Sequence, residues 1–152
     1  MSGFVRLSGE GRVIDAGAFE VSVVADATDT GGVCSVVETY GDAGLGPPLH
    51  IHHDVAEAFY IVEGSYVMVL GDERVMCPAG SFVFIPAGMP HTFVGGPDAG
   101  RKLNFYFPAG MVGYFDDLSA AVAGGEVDDA ALAELAAKHA MEVLGPVPEK
   151  YL

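Results

Sequence analysis

Up to Pro108 the chain is a succession of short apolar runs, most of them four to seven residues long, broken by glycine, proline or acidic turn residues. That pattern predicts β-strands, not helices. Strands are expected at Arg12 to Ile14, Phe19 to Val23 and Val33 to Tyr40, with a turn over Asp26 to Gly32. Gly41 to Pro48 holds three glycines and two prolines and interrupts any ladder. Beyond the histidines, Ala58 to Val62 and Tyr66 to Leu70 read as a hairpin turned at Glu63-Gly64-Ser65. Arg74 to Cys77, Ser81 to Ile85, His91 to Val94 and Leu103 to Phe107 follow, separated by Gly71-Asp72-Glu73, Pro78-Ala79-Gly80 and the glycine-rich Gly95 to Gly100.

After Pro108 the periodicity changes. Gly113 to Ala123 suits a short helix ending at Gly124-Gly125. Asp129 to Met141 suits a second, with Asp128 as N-cap, Leu132, Leu135, Ala136 and His139 on one face, and Gly145-Pro146 as the stop. The expected molecule is one domain over residues 1–152, with a β-barrel or sandwich core at about 12–108 and a helical tail at about 113–145 docked on its outside. That tail shows no chemistry of its own in the sequence.

Composition sharpens this picture in three places. Half of the 152 residues are apolar, which is ample for a single core, and 21 glycines and 9 prolines spread along the chain favour turns. Seven basic against 21 acidic residues give a net charge of −14, which repels phosphate backbones and anionic headgroups; nucleic-acid and membrane partners are set aside. With so few Lys and Arg, a phosphorylated or multiply anionic ligand is not expected either. Cys34 and Cys77 have no CxxC spacing and are expected to be reduced, buried thiols. With no signal core and no apolar run approaching about 20 residues, a cytoplasmic location is expected.

The candidate chemistry lies between Gly44 and His91, which hold four of the five histidines. His50 and His52 are two apart, so on a strand both face the same way and can share one ion. Glu57 has the wrong parity for a straight strand, and His53-Asp54-Val55-Ala56 must bend to bring it round. His91 arrives from a separate strand, its approach fixed by Pro86, Gly88 and Pro90.

These residues also carry a resemblance. Gly44-x5-His50-x-His52-x4-Glu57-x6-Gly64 resembles the first motif of the cupin superfamily, and Gly80-x5-Pro86-x-Gly88-x2-His91 nearly all of the second. The second motif departs from the pattern at Gly95, where the family has Asn, and this puts the local turn in question. Within the superfamily, the Pro47 to Gly64 run and the Leu135 to Pro148 segment are similar to single-domain, quercetinase-like bacterial cupins. The resemblance implies a jelly-roll barrel in which His50, His52, Glu57 and His91 hold a divalent transition metal. Imidazole and carboxylate donors suit Fe, Ni, Mn, Co, Cu or Zn without choosing among them.

It further implies a dioxygenase acting on a flavonol-like or other enolic or aromatic molecule, with dioxygen as co-substrate and Glu57 as both ligand and general base. A non-redox cyclase, isomerase or dehydratase of polyketide-like secondary metabolism is the alternative, and a non-catalytic small-molecule-binding cupin the third reading. Strand parity makes Phe59, Ile61, Met68 and Phe93 the expected substrate pocket, while the faces of Phe82, Phe84, Phe105 and Phe107 stay unassigned. His53 is expected at the surface or in a supporting role, and His139 as a packed residue. Cupins of this size resemble homodimers in which N-terminal strands extend the partner's sheet.

Overall fold

A computed structural model describes residues 2–146. Its elements, in chain order, are β1 (Arg12–Asp15), β2 (Glu20–Ala25), α1 (Ala27–Thr30), β3 (Ser35–Gly41), β4 (His50–His52), β5 (Ala56–Leu70), β6 (Glu73–Pro78), β7 (Phe82–Ile85), β8 (His91–Phe107), α2 (Val112–Ala123), α3 (Asp129–Ala137) and β9 (Met141–Val143). All strand pairings are antiparallel.

Two long strands organise the rest. Over Gly100 to Phe107, β8 lies between β3 and the first half of β5, with β2 and β1 beyond β3 and β7 beyond β5. At its start, β8 pairs instead with β4 and the second half of β5, with β9 beyond β4 and β6 beyond β5. The two sheets share β5 and β8 and fold over each other as a jelly roll that stays open at its edges. This arrangement buries alternate residues of each strand.

Four local expectations differ from what is observed. No hairpin turns at Glu63-Gly64-Ser65: β5 runs on for 15 residues, because both of its halves pair with β8 and Gly64, at φ 67°, forms an irregularity in the ladder where a reversal was expected. A Cβ at Gly64 would stand 1.8 Å from the Ala99 carbonyl oxygen, so only glycine fits the crossing. Likewise His91 to Val94 and Leu103 to Phe107 belong to the single strand β8. The segment after Asp26 contains the one-turn helix α1, capped by the Asp26 carboxylate on Thr28 N and Asp29 N. Finally α3 ends at Ala137, and after Ala140 at φ 52° the chain becomes strand β9, which pairs with the histidine strand β4.

The core has two parts. Ile14, Val21, Val23 and Val37 of the sheet pack with Met111, Phe115, Leu118, Leu132 and Leu135 of the C-terminal segment. Phe59, Ile61, Tyr66, Met68, Cys77, Val83 and Ile85 form the other. Cys77 is buried as expected, whereas Cys34 is half-buried; both are free thiols. Among the described residues no helix is long and apolar enough to cross a membrane.

Candidate metal centre and its cavity

On β4 the pleat turns His50 and His52 inward with Ile51 between them. His91, the first residue of β8, stands directly opposite His50. The bend between β4 and β5 brings in Glu57, which faces Tyr106 on β8 and Ile85 on β7. All four side chains are buried, and their donor atoms lie within 4.8 Å of one another. Bonds of about 2.1 Å to a common centre set donors at most about 4.2 Å apart, so the widest pair draws in slightly to share one ion.

Hydrogen bonds orient the rings. Nδ1 of His50 and Nδ1 of His91 each lie 2.8 Å from a backbone carbonyl, of Pro48 and Met89, so in both rings Nδ1 carries a proton that it donates and Nε2 is turned to the cluster. Burial, together with its histidine neighbours, pushes His50 down to about 3, so its ring is neutral and its Nε2 is a free donor pair. Glu57 Oε2 is 2.9 Å from His91 Nε2 and 3.1 Å from His52 Nε2. Burial alone would raise this carboxyl, but its bonds to His52 and His91 hold it well below the usual carboxylate range. A neutral His91 would set a nitrogen lone pair against a carboxylate lone pair at 2.9 Å; a cation, proton or metal ion, has to lie between them. The buried Nδ1 of His52 has no hydrogen-bond partner among the described residues, so no backbone contact fixes that ring's tautomer. Three inward imidazoles and one carboxylate thus suit a divalent metal ion.

A cavity of about 740 Å³, its open mouth included, adjoins the cluster and is lined by His50, His52 and Glu57. Its remaining wall is mostly apolar, and much of it comes from the C-terminal segment: Met111, Tyr114, Phe115, Met141 and Val143 all contribute. The tail that carries no chemistry in sequence therefore closes the site.

Of the expected pocket residues, only Phe93 lines this cavity. Phe59, Ile61 and Met68 do face the barrel interior as their parity requires, but they lie in the packed core cluster beside it. Interior parity identifies the inside of the barrel without saying which part of the inside is filled. Phe82, Phe84 and Phe107 point outward and are exposed, and Phe105 stacks on Phe107. His53 turns out to pair with Glu142 at 2.9 Å, and His139 bonds Asp117 at 2.7 Å beside the Tyr114 ring.

Three polar residues on the wall escape a reading of the sequence. Lys102, Asn104 and Tyr106 alternate along β8, all buried and all lining the cavity, while Leu103, Phe105 and Phe107 take the outer face. Lys102 Nζ donates to Asn104 Oδ1 at 2.7 Å and to Thr39 Oγ1 at 2.9 Å, and Asn104 Nδ2 donates to the Tyr106 hydroxyl at 3.4 Å. Burial and the neighbouring Glu57 charge push the Tyr106 phenol well above its ordinary value. The signal available in sequence was the alternation Lys-x-Asn-x-Tyr, which places the polar residues of this strand on one face.

Residues 36–99 match the family model described as the Cupin domain. That stretch holds His50, His52, Glu57 and His91. The chain is 34% identical over 90 residues to quercetin 2,3-dioxygenase of Bacillus subtilis (strain 168); the match covers 59% of this chain and 27% of that relative, so the chain spans about a quarter of the length of the curated protein it matches. Among solved structures, a RmlC-like cupin from Shewanella frigidimarina superposes with a TM-score of 0.62 at 20% identity, over 71% of this chain and 93% of that one. The polyketide cyclase RemF from Streptomyces resistomycificus superposes with a TM-score of 0.59 at 24% identity, over 70% and 80%. At these identities the structural likenesses establish the cupin fold.

Proposed function

We propose that this cupin is a metal-dependent enzyme, and that it is a dioxygenase of flavonol-like or other enolic aromatic molecules. The observation that carries the reading is the convergence of His50, His52, Glu57 and His91 at the wall of an apolar cavity, supported by the likeness to the bacterial quercetin dioxygenase. His50, His52 and His91 through Nε2, and Glu57 through Oε2, would hold the ion. When bound, a divalent transition metal supplies Lewis-acid binding of a substrate oxygen and, where it is redox-active, electron exchange with dioxygen.

The remaining work belongs to the chain. Glu57 is acidic only while His52 and His91 hold it; a carboxylate released from those bonds at a fully buried site becomes a stronger base and can take the proton of an enol. Tyr106, which stays protonated, stands opposite Glu57 across the paired strands, where its hydroxyl is placed to serve that carboxylate as a proton donor. Aromatic and methionine side chains on the wall keep water from the reacting end.

The pairing of Glu57 with Tyr106 also favours a second reading, a zinc-dependent cyclase, isomerase or dehydratase, because it provides an acid and a base without dioxygen. An oxygen-electrode screen of flavonols, with metal content measured by mass spectrometry on untagged protein, separates the readings. Oxygen uptake with a redox metal supports the dioxygenase, anaerobic turnover with zinc supports the second reading, and a metal-loaded protein inert in both arms is a binding cupin.

The reading includes a homodimer. Tyr60, Phe82, Phe84 and Phe107 are exposed on the outer face of one sheet, next to β7, whose second edge has no partner strand among the described residues. In a chain of charge −14, an uncharged aromatic strip is where a second copy can approach without repulsion.

A further inference from the structure

Lys102 is the least expected residue of the cavity wall. It is fully buried, and no carboxylate of the described residues forms an ion pair with it. Thr39 and Asn104 fix its Nζ through neutral oxygens, and the ring centroids of Phe93, Phe59 and Tyr66 lie 3.9, 4.7 and 5.5 Å away. Aromatic faces and neutral acceptors compensate a buried ammonium only in part. Burial accordingly lowers its pKa to about 7, against the raising effect of Glu57.

A second group at the same place points the same way. The Tyr66 hydroxyl, buried against the Gly41 backbone on the cavity wall, makes no hydrogen bond of good geometry among the described residues. An under-compensated cation and an unused O–H donor both call for an acceptor that bears negative charge. The rest of the wall is largely apolar.

We propose that the cavity binds a flat, largely apolar ligand carrying one ionised oxygen, a phenolate, enolate or carboxylate, and that this oxygen docks on Lys102 beside the Tyr66 hydroxyl. The other end of the ligand reaches the His50, His52, Glu57 and His91 cluster, a placement that rests on the reading of that cluster as the reaction centre. Lys102 lies opposite Ile61 and Tyr106 opposite Glu57 on the paired strands, four residues apart, so the two ends are about 13 Å apart along the backbone before the side chains reach inward. A body of two or three rings bridges that interval. With Lys102 the one Lys or Arg among the described wall residues, a singly charged ligand is favoured over a multiply anionic one.

The test compares naphthalene-2-carboxylate with naphthalene-2-carboxamide, which share shape and differ in charge. Calorimetric titration of the protein as purified, a little below pH 7, is expected to show the carboxylate binding at least about tenfold more tightly. Lys102→Met is expected to bring the two probes to within about twofold while keeping the affinity for the carboxamide. Repeating both titrations after chelation removes any carboxylate binding to metal, so a Lys102-dependent preference that survives chelation stands even if no metal or turnover is found. A measurement that needs no variant uses the Cε resonance of Lys102, one of three lysines, shifted upfield by the Phe93 ring face. Saturation with the carboxylate moves it and the carboxamide leaves it in place. Equal affinities in the wild type, a preference undiminished in Lys102→Met, an unmoved Cε resonance, or no binding of either probe would each overturn the proposal, whatever the metal content.

Discussion

At the scale of single residues, His50, His52, Glu57 and His91 do what their neighbours allow. Backbone acceptors at Pro48 and Met89 aim the rings of His50 and His91, and a carboxylate completes the set. Bound metal per chain is expected to fall at least about tenfold in His50→Ala and in Glu57→Ala, read by mass spectrometry, since losing one of four donors costs more than losing a supporting hydrogen bond. Lys102 gives a second prediction, on stability. Its folded pKa of about 7 lies below the ordinary lysine value of 10.5, so between those pH values the unfolded chain holds a proton the folded one has released, and wild-type stability rises with pH across that window. Lys102→Met lacks this dependence. Urea unfolding should find the variant more stable by about a few kcal/mol below pH 7, the gap closing toward pH 10. What was legible in sequence follows the same lines. Two histidines at a spacing of two on a strand declare a shared face, and so do Lys102, Asn104 and Tyr106, but not which face: charged residues are ordinarily solvated, and only the pairing partners of β8 show that its polar face is the inner one.

Among the elements, local pattern located most strands and failed where pairing decided. Glu63-Gly64-Ser65 has the composition of a turn, yet β8 lies along both halves of β5 and holds it extended. Met141 reads as the last residue of the second helix, yet β4 offers an open edge and recruits Met141-Glu142-Val143 as a strand. Neither partner can be inferred from the segment itself. Gly95, where the cupin motif has Asn, is explained at this scale. Its N–H donates to Leu45 O at 2.9 Å, its carbonyl accepts from Gly44 N at 3.0 Å, and a Cβ there would stand 2.2 Å from the Asp42 carbonyl oxygen. The loop before β4 is pressed onto β8 too closely for any side chain. Gly95→Ala is therefore expected to lower stability by about 1–3 kcal/mol in urea unfolding, because backbone, not a flexible side chain, has to yield.

Across the whole molecule, the sheets were foreseeable from strand number and the family motifs, but the cavity was not. Its wall joins residues from β3, β4, β5 and β8 with others from α2 and β9, as far apart in the chain as Thr39 and Val143. The outer face carries its own prediction. Sedimentation at micromolar concentration should find a dimer, and the double variant Phe82→Glu, Phe84→Glu a monomer with its metal content intact, since both side chains point away from the cluster. The sharing of β8 by both sheets has a consequence for how this chain can change over generations. Loss of one residue between Ala99 and Lys102 would turn Leu103, Phe105 and Phe107 inward and Lys102, Asn104 and Tyr106 out to solvent, while leaving His91 where it is. Insertions and deletions in this strand are thus tolerated in pairs or within the irregular Gly96 to Ala99 segment, so a descendant with a different substrate will have altered its side chains sooner than its length.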